Sequence, residues 1–267
     1  MSAPVAVVGS AEDLALAGVP AGDAVWCGDP AGAETVLARA ELRVALGTFA
    51  VTGHDRHAWI RWLDGAAPDP SVAAAGGASE TDPRSIAGGR VIAQAGPDLW
   101  RRAPWPVGDA LFDRSPPPAS APVLVLGSGP AWTEGIAALQ GYGLEVVAAP
   151  RLTREALRAT VAVVDCAAPG SPPPAWLMAP LAARRLLVRI TARPDFGLQA
   201  GVDHLAVPDA TQAAAVVAAL VAEPRAFDSL RAFGAITAER HRASTVFANL
   251  LADVRLEEAA AGRGPSF

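Results

Sequence analysis

The sequence contains no lysine. All of its 22 basic residues are arginine, set against 27 acidic residues for a formal net charge of −5. Chemistry that needs a lysine, as a Schiff-base amine or as the cation of a phosphate loop, is therefore excluded. Nor do the arginines form a basic stripe, so the electrostatic footprint of a nucleic-acid partner is missing. Cysteine is nearly as scarce. Cys27 and Cys166 are the only two, each inside an apolar run that reads as a strand, which suits buried thiols rather than a disulfide framework or a metal cluster. Long apolar runs are absent too: the longest, Ala213 to Ala222, is about half a membrane span. The first residues lack the basic start of a signal peptide. A cytoplasmic location without a membrane span is the expectation.

What is present is apolar and regular. Hydrophobic residues make up 51% of the 267 positions and charged ones 18%, enough to build a sizeable core. Short apolar runs alternate with Ala- and Leu-rich helical stretches, the pattern of βαβ units and a parallel sheet. In the first half, Val5 to Gly9, Ala24 to Cys27, Arg43 to Gly47 and Arg90 to Gln94 read as strands. Ala31 to Ala40 has helical spacing, and so does Asp55 to Leu63, where Trp59, Ile60 and Leu63 share a helical face. Gly65 to Gly89 reads as a long loop and Pro97 to Arg101 as a short turn. The proline-rich tract Asp113 to Pro122 reads as a linker, since consecutive prolines end a sheet or helix. This divides the chain into an N-terminal domain over 1–112, a linker over 113–122, a C-terminal domain over 123–258 and a tail over 259–267.

The second half is more regular. Val123 to Leu126, Glu145 to Ala149, Val161 to Cys166, Leu186 to Ile190 and Asp203 to Val207 are expected strands. The helices expected between and after them are Ala131 to Gly141, Thr153 to Ala159, Ala175 to Arg184, Ala210 to Ala222, Arg225 to Glu239 and Ser244 to Glu257. Asp209 and Gln212 have capping-box spacing. The whole reads as an α/β protein of two Rossmann-like domains.

Three segments could carry chemistry. Gly127-Ser128-Gly129 follows a strand and opens a helix, where unpaired backbone N–H groups at the positive end of the helix dipole attract phosphate. A plain tight turn is the alternative. The third glycine of a dinucleotide fingerprint is replaced by Trp132, too bulky for close helix and sheet packing, and Glu145 stands at the start of the second strand rather than its end. No nicotinamide or flavin cofactor is therefore expected, and no other cofactor. His54, Asp55 and His57 could supply a base with an orienting partner, or simply start a solvated helix with Asp55 as its cap. As a metal site this trio lacks a further ligand. His241 to Thr245 reads as a charged hinge with a Ser or Thr helix cap. Trp100 and Trp105 could form a sugar-stacking wall or pack a crossover.

From about residue 90 to 256 the order of features resembles the retaining, group 1 glycosyltransferases of the GT-B fold. Trp105 to Phe112 is similar to the family's crossover segment, and Leu124-Val-Leu-Gly127 to the strand and glycine that open its donor domain. Ala179 to Val188 falls where the family has a helix and the strand after it. Gly201 to Asp209 is similar to its Gly-x-x-Gly-x-Leu-Val-Pro-x-Asp stretch. Glu223-Pro224-Arg225 and Glu239-Arg-His241 resemble its closing helices. The resemblance implies two facing Rossmann-like domains, with a nucleotide sugar held by Gly127, Ser128, Gly129, Thr133 and Ser171. The departures fall on charge. Ser128 and Glu134 stand where the family has an arginine and a lysine, and Ser171 and Ala179 where it has two glutamates. Each such donor lost at a developing anion costs about 2.7 to 4 kcal/mol. The resemblance thus implies a glycosyltransferase-like protein with weak or lost activity, or a binding partner of another enzyme that keeps the fold alone.

Overall fold

The computed structural model describes residues 5–8, 14–16, 24–26, 42–45, 58–62, 91–95, 99–103, 106–112, 121–150, 152–166, 175–190 and 198–260. The expected helix at Ala31 to Ala40, the loop at Gly65 to Gly89 and nearly all of the linker lie outside them. By their contacts the residues form two compact units, 1–108 with 241–267, and 109–240.

The second unit carries a five-stranded, wholly parallel sheet: β7 (Val123–Leu126), β8 (Val146–Ala149), β9 (Ala162–Asp165), β10 (Leu186–Ile190) and β11 (Leu205–Val207), in the order β11-β10-β9-β7-β8. Parallel strands covered on both faces read as continuous apolar runs. The three central ones, Val-Leu-Val-Leu, Ala-Val-Val-Asp and Leu-Leu-Val-Arg-Ile, are buried at every position. Alternate residues go to opposite faces. Val123, Val125, Ala162, Val164, Leu186 and Val188 join one core cluster with Leu139 of α1 (Pro130–Gly141) and with Ala213, Ala214, Val217 and Leu220 of α4 (Ala210–Ala222). Two short helices follow their strands, α2 (Arg154–Arg158) and the fully buried α3 (Met178–Ala182), which packs on β10 and is covered by α5 (Asp228–Glu239).

The first unit has a six-stranded sheet in the order β2-β1-β3-β4-β5-β6. Its strands are β1 (Val5–Val8), β2 (Ala24–Trp26), β3 (Leu42–Ala45), β4 (Ala58–Trp62), β5 (Val91–Ala95) and β6 (Leu99–Ala103). The first four are mutually parallel, and β5 and β6 run antiparallel to their neighbours. The expectation of parallel sheets holds for the second unit and is corrected here. Two local readings are corrected with it. The helix expected at Asp55 to Leu63 gives way to strand β4 over its second half, because Ala-Trp-Ile-Arg-Trp also fits a strand and its aromatic and β-branched residues favour one. The turn expected at Pro97 to Arg101 gives way to strand β6.

The C-terminal helix α6 (Ala243–Ala260) belongs to the first unit and packs across β3 and β5. It begins at Ala243, so Ser244 and Thr245 lie inside its first turn rather than capping it. Just before it, Val107 donates its N–H to His241 O at 2.7 Å and accepts from Ala243 N at 2.8 Å. The chain leaves the first unit after 108 and re-enters it at 241, so this short ribbon ties its exit to its return.

Candidate functional site

In a doubly wound sheet, ligands bind outside the carboxyl ends of the strands at the point where the strand order reverses. In the second unit that point lies between β7 and β9. From β7 the chain crosses to β8 on one side, and from β9 to β10 on the other. With right-handed crossovers, α1 and α3 fall on opposite faces and their connections diverge, leaving a crevice. The residues at its lip are Gly127, Ser128 and Gly129 after β7 and Cys166 after β9, whose N–H donates to Leu126 O at 2.9 Å.

The turn after β7 needs its glycines: Gly127 has φ 142° and Gly129 φ 80°, values that side-chain-bearing residues rarely adopt. Gly129 is the N-cap of α1 and brings no side-chain acceptor, while Pro130 occupies the first helical position and has no N–H to satisfy. Two of the other helices that follow strands differ. Thr153 Oγ1 accepts from Ala156 N at 3.1 Å at the start of α2, and Asp209 Oδ1 from Gln212 N at 2.8 Å at the start of α4. The start of α1, beside the reversal point, has no side-chain cap, and neither has the buried α3, which continues from the 3-10 turn Ala175–Leu177.

Ser128 is exposed, and so are Thr133 and Glu134. The Thr133 N–H makes the first helical bond, to Gly129 O at 3.2 Å, and its Oγ1 lies 3.4 Å from the same oxygen. Trp132 turns back on the sheet, its indole N–H donating to Val125 O at 3.3 Å. The close approach of helix and sheet occurs three residues later. A Cβ on Gly135 would lie 2.6 Å from Cys166 Sγ. A lone glycine inside a helical stretch is the signal that marked this contact, and the sequence reading passed over it.

Two arginines could in principle replace the cations that the sequence lacks at Ser128 and Glu134. Arg189 is buried and paired with Asp165, Nε to Oδ2 at 3.4 Å, across the register of β9 and β10. Arg184 sits before β10, in a left-handed conformation (φ 54°) with its N–H on Leu181 O at 3.0 Å. That is the amino end of the sheet, about 15 Å from the carboxyl end across a five-residue strand. Arg184 thus stands at the opposite end of the sheet from the Gly127 turn, and Arg189, in one row with Asp165 and Leu126, is engaged by the Asp165 carboxylate.

Ser171 and the trio His54, Asp55 and His57 lie outside the described residues, as do Trp105 and Cys27. Cys166 is a buried thiol. His241, in the segment read as a charged hinge, is buried. Among the described residues no group of three His, Cys, Asp or Glu side chains is placed to hold a metal ion, and no helix is long and apolar enough to cross a membrane.

No family model and no curated protein matches the chain. Among solved structures, it is similar to a sucrose-phosphate synthase from Thermosynechococcus elongatus, at 17% identity and a TM-score of 0.36, over 54% of this chain and 47% of that one. The chain thus matches about half the length of that structure. The α/β class of the second unit is read from its own parallel sheet and flanking helices.

Proposed function

We propose that the chain binds a nucleoside diphosphate or nucleotide sugar at the Gly127–Gly129 turn, as a glycosyltransferase-like protein whose transfer activity is weak or lost. One observation carries this reading: the uncapped start of α1 opens directly from the Gly127–Gly129 turn at the point where the strand order reverses. Unpaired N–H groups there favour a phosphate oxygen by hydrogen bonding and by the helix dipole together.

A second reading, binding without turnover as the partner of an active enzyme, is favoured by the positions of Arg189 and Arg184. A departing diphosphate gathers charge that cations and donors must stabilise; Arg184 stands at the opposite end of the sheet, and the charge of Arg189 is already set against Asp165. Thermal unfolding of the full chain against UDP, GDP, their sugar conjugates and NAD separates the readings. A ligand at one hundred times its Kd stabilises by about 2.7 kcal/mol, an easily visible rise in Tm. Stabilisation by a nucleoside diphosphate that Ser128→Asp abolishes supports the site, and hydrolysis or transfer of the conjugate then distinguishes enzyme from partner. A flat response across the panel overturns both readings.

A further inference from the structure

The parallel sheet of the second unit ends on one side at β8, which among the described residues pairs with β7 alone. An edge strand presents one row of backbone donors and acceptors to a further strand. One bond fixes which groups form that row. Val123 donates its N–H to Glu145 O at 2.8 Å, and the direction of the backbone groups alternates from residue to residue along a strand. Those of residues 145, 147 and 149 therefore point to β7, and those of Val146 and Ala148 point outward.

The outward row is closed at both ends. Leu144, the next outward position on one side, donates its N–H to Leu139 O at 3.2 Å. Pro150, the next on the other side, has no N–H. What remains is the N–H and C=O of Val146 and of Ala148, and among the described residues nothing is bonded to them. Ala148 is exposed, and Val147 between them is 39% exposed.

This row complements itself. In an antiparallel pair, two residues that face each other with their backbone groups exchange both N–H···O bonds. With a second copy turned about a two-fold axis through Val147, Val146 meets Ala148 of the copy and Ala148 meets its Val146, so every outward group is paired. An axis through Val146 or Ala148 instead brings Leu144 or Pro150 into the ladder, where the N–H is already engaged or missing. Val147 then faces its own counterpart at the non-hydrogen-bonded position, where side chains are closer. Charge does not oppose the arrangement. β8 is Val-Val-Ala-Ala, and the two Glu145 residues, each across from Ala149 of the other copy, stand about 13 Å apart, more than a Debye length at physiological salt.

We propose that two copies of the chain associate through β8, edge to edge and antiparallel, joining their five-stranded sheets into one. The strand is short, and interfaces below about 1,200 Å² are transient ones, so the dimer is reversible. The inference is independent of the nucleotide reading, since it uses none of the residues of the Gly127 turn.

Light scattering of the full chain over a hundredfold range of concentration tests it, and the mass is expected to rise from one chain towards two. Ala148→Pro removes an outward N–H, leaves the ladder to β7 intact and should weaken association at least tenfold. Val147→Glu and Val147→Arg set like charges opposite each other at the axis, and each alone should stay monomeric. Mixed, they should form a one-to-one heterodimer, because opposite charges then face each other across the strands. Val202→Glu alters a valine of similar exposure, 40%, beside the strand at the other end of the sheet, and should leave association within twofold. The proposal is overturned if the parent is monomeric throughout, if Ala148→Pro or either charged variant associates as the parent does, if the mixture does not pair, or if Val202→Glu weakens association as much as Val147→Glu. Circular dichroism of each variant excludes loss of fold as the cause. Should Ala148→Pro fail to fold, the exposed Val147 variants and their mixture decide the outcome.

Discussion

The two sheets place chemistry in different positions. In the second unit, parallel strands are covered by helices on both faces, so the core strands are apolar almost throughout and functional groups can appear only at the strand ends. Gly127 to Gly129 and Cys166 are such ends. In the first unit, β5 and β6 turn antiparallel, and an antiparallel sheet can give one face to the core and keep the other polar. In β4 to β6 the register sets Trp59, Gln94 and Trp100 in one row and Ile60, Ala93 and Arg101 in the next, so polar and apolar residue types are mixed along these strands. Connectivity thus sets the strand pattern of each unit: uninterrupted apolar runs where all strands are parallel, mixed ones where two turn antiparallel.

The largest test of this contrast concerns the ion pair between Asp165 and Arg189 inside the parallel sheet. Asp165 and Arg189, each almost fully buried, are the exception to its apolar strands. Asp165→Ala leaves the guanidinium buried without its carboxylate and is expected to cost about 3 to 5 kcal/mol. Replacing both, as Asp165→Leu with Arg189→Met, should recover most of that loss, since hydrophobic residues of similar volume often substitute for a buried pair. Chemical denaturation of the single and double variants reads both outcomes. A single variant within 1 kcal/mol of the parent would mean that the pair is not held in a dry core.

A smaller effect is expected at the contact between α1 and β9. Gly135→Ala puts a Cβ 2.6 Å from Cys166 Sγ, and overpacking of this kind costs about 1 to 3 kcal/mol. Adding Cys166→Ala removes the obstructing sulfur, so the two substitutions together should cost less than the sum of each alone. Additivity in a double-mutant cycle of melting curves would show that α1 relieves the clash by shifting away from the sheet.

These cases mark how much of the fold could be read beforehand. The strands of the second unit and helix α4 were legible because their apolar runs are uninterrupted and bounded by Gly, Pro and Asp. β4 was not: in Ala58-Trp-Ile-Arg-Trp62 the apolar positions satisfy a helical period and a strand period equally, and the pairing with β3 decides. In β6 the adjacent arginines Arg101 and Arg102 mask the alternation. The Gly127 turn was visible as strand, glycines, helix. The pairing of Asp165 with Arg189 was not, because 24 residues separate them and only the register of β9 on β10 brings them together.

The smallest effects separate capping from binding at the helix starts. Asp209→Ala removes the acceptor for Gln212 N and should cost about 1 kcal/mol, whether or not a ligand is present. Ser128→Asp alters an exposed residue beside an uncapped start, so its effect on the stability of the unliganded chain should stay within about 0.5 kcal/mol. It places a negative charge where a phosphate would sit, and so it should remove the stabilisation given by a nucleoside diphosphate. Melting each variant with and without the nucleotide gives four shifts. In the proposed arrangement Asp209→Ala moves both of its melts equally, and Ser128→Asp moves only the liganded one. If Ser128→Asp instead raised the Tm of the unliganded chain by a degree or more, the new carboxylate would be acting as the missing cap of α1. The open helix start would then be a structural vacancy that any acceptor can fill, and its lack of a cap would no longer argue for a ligand.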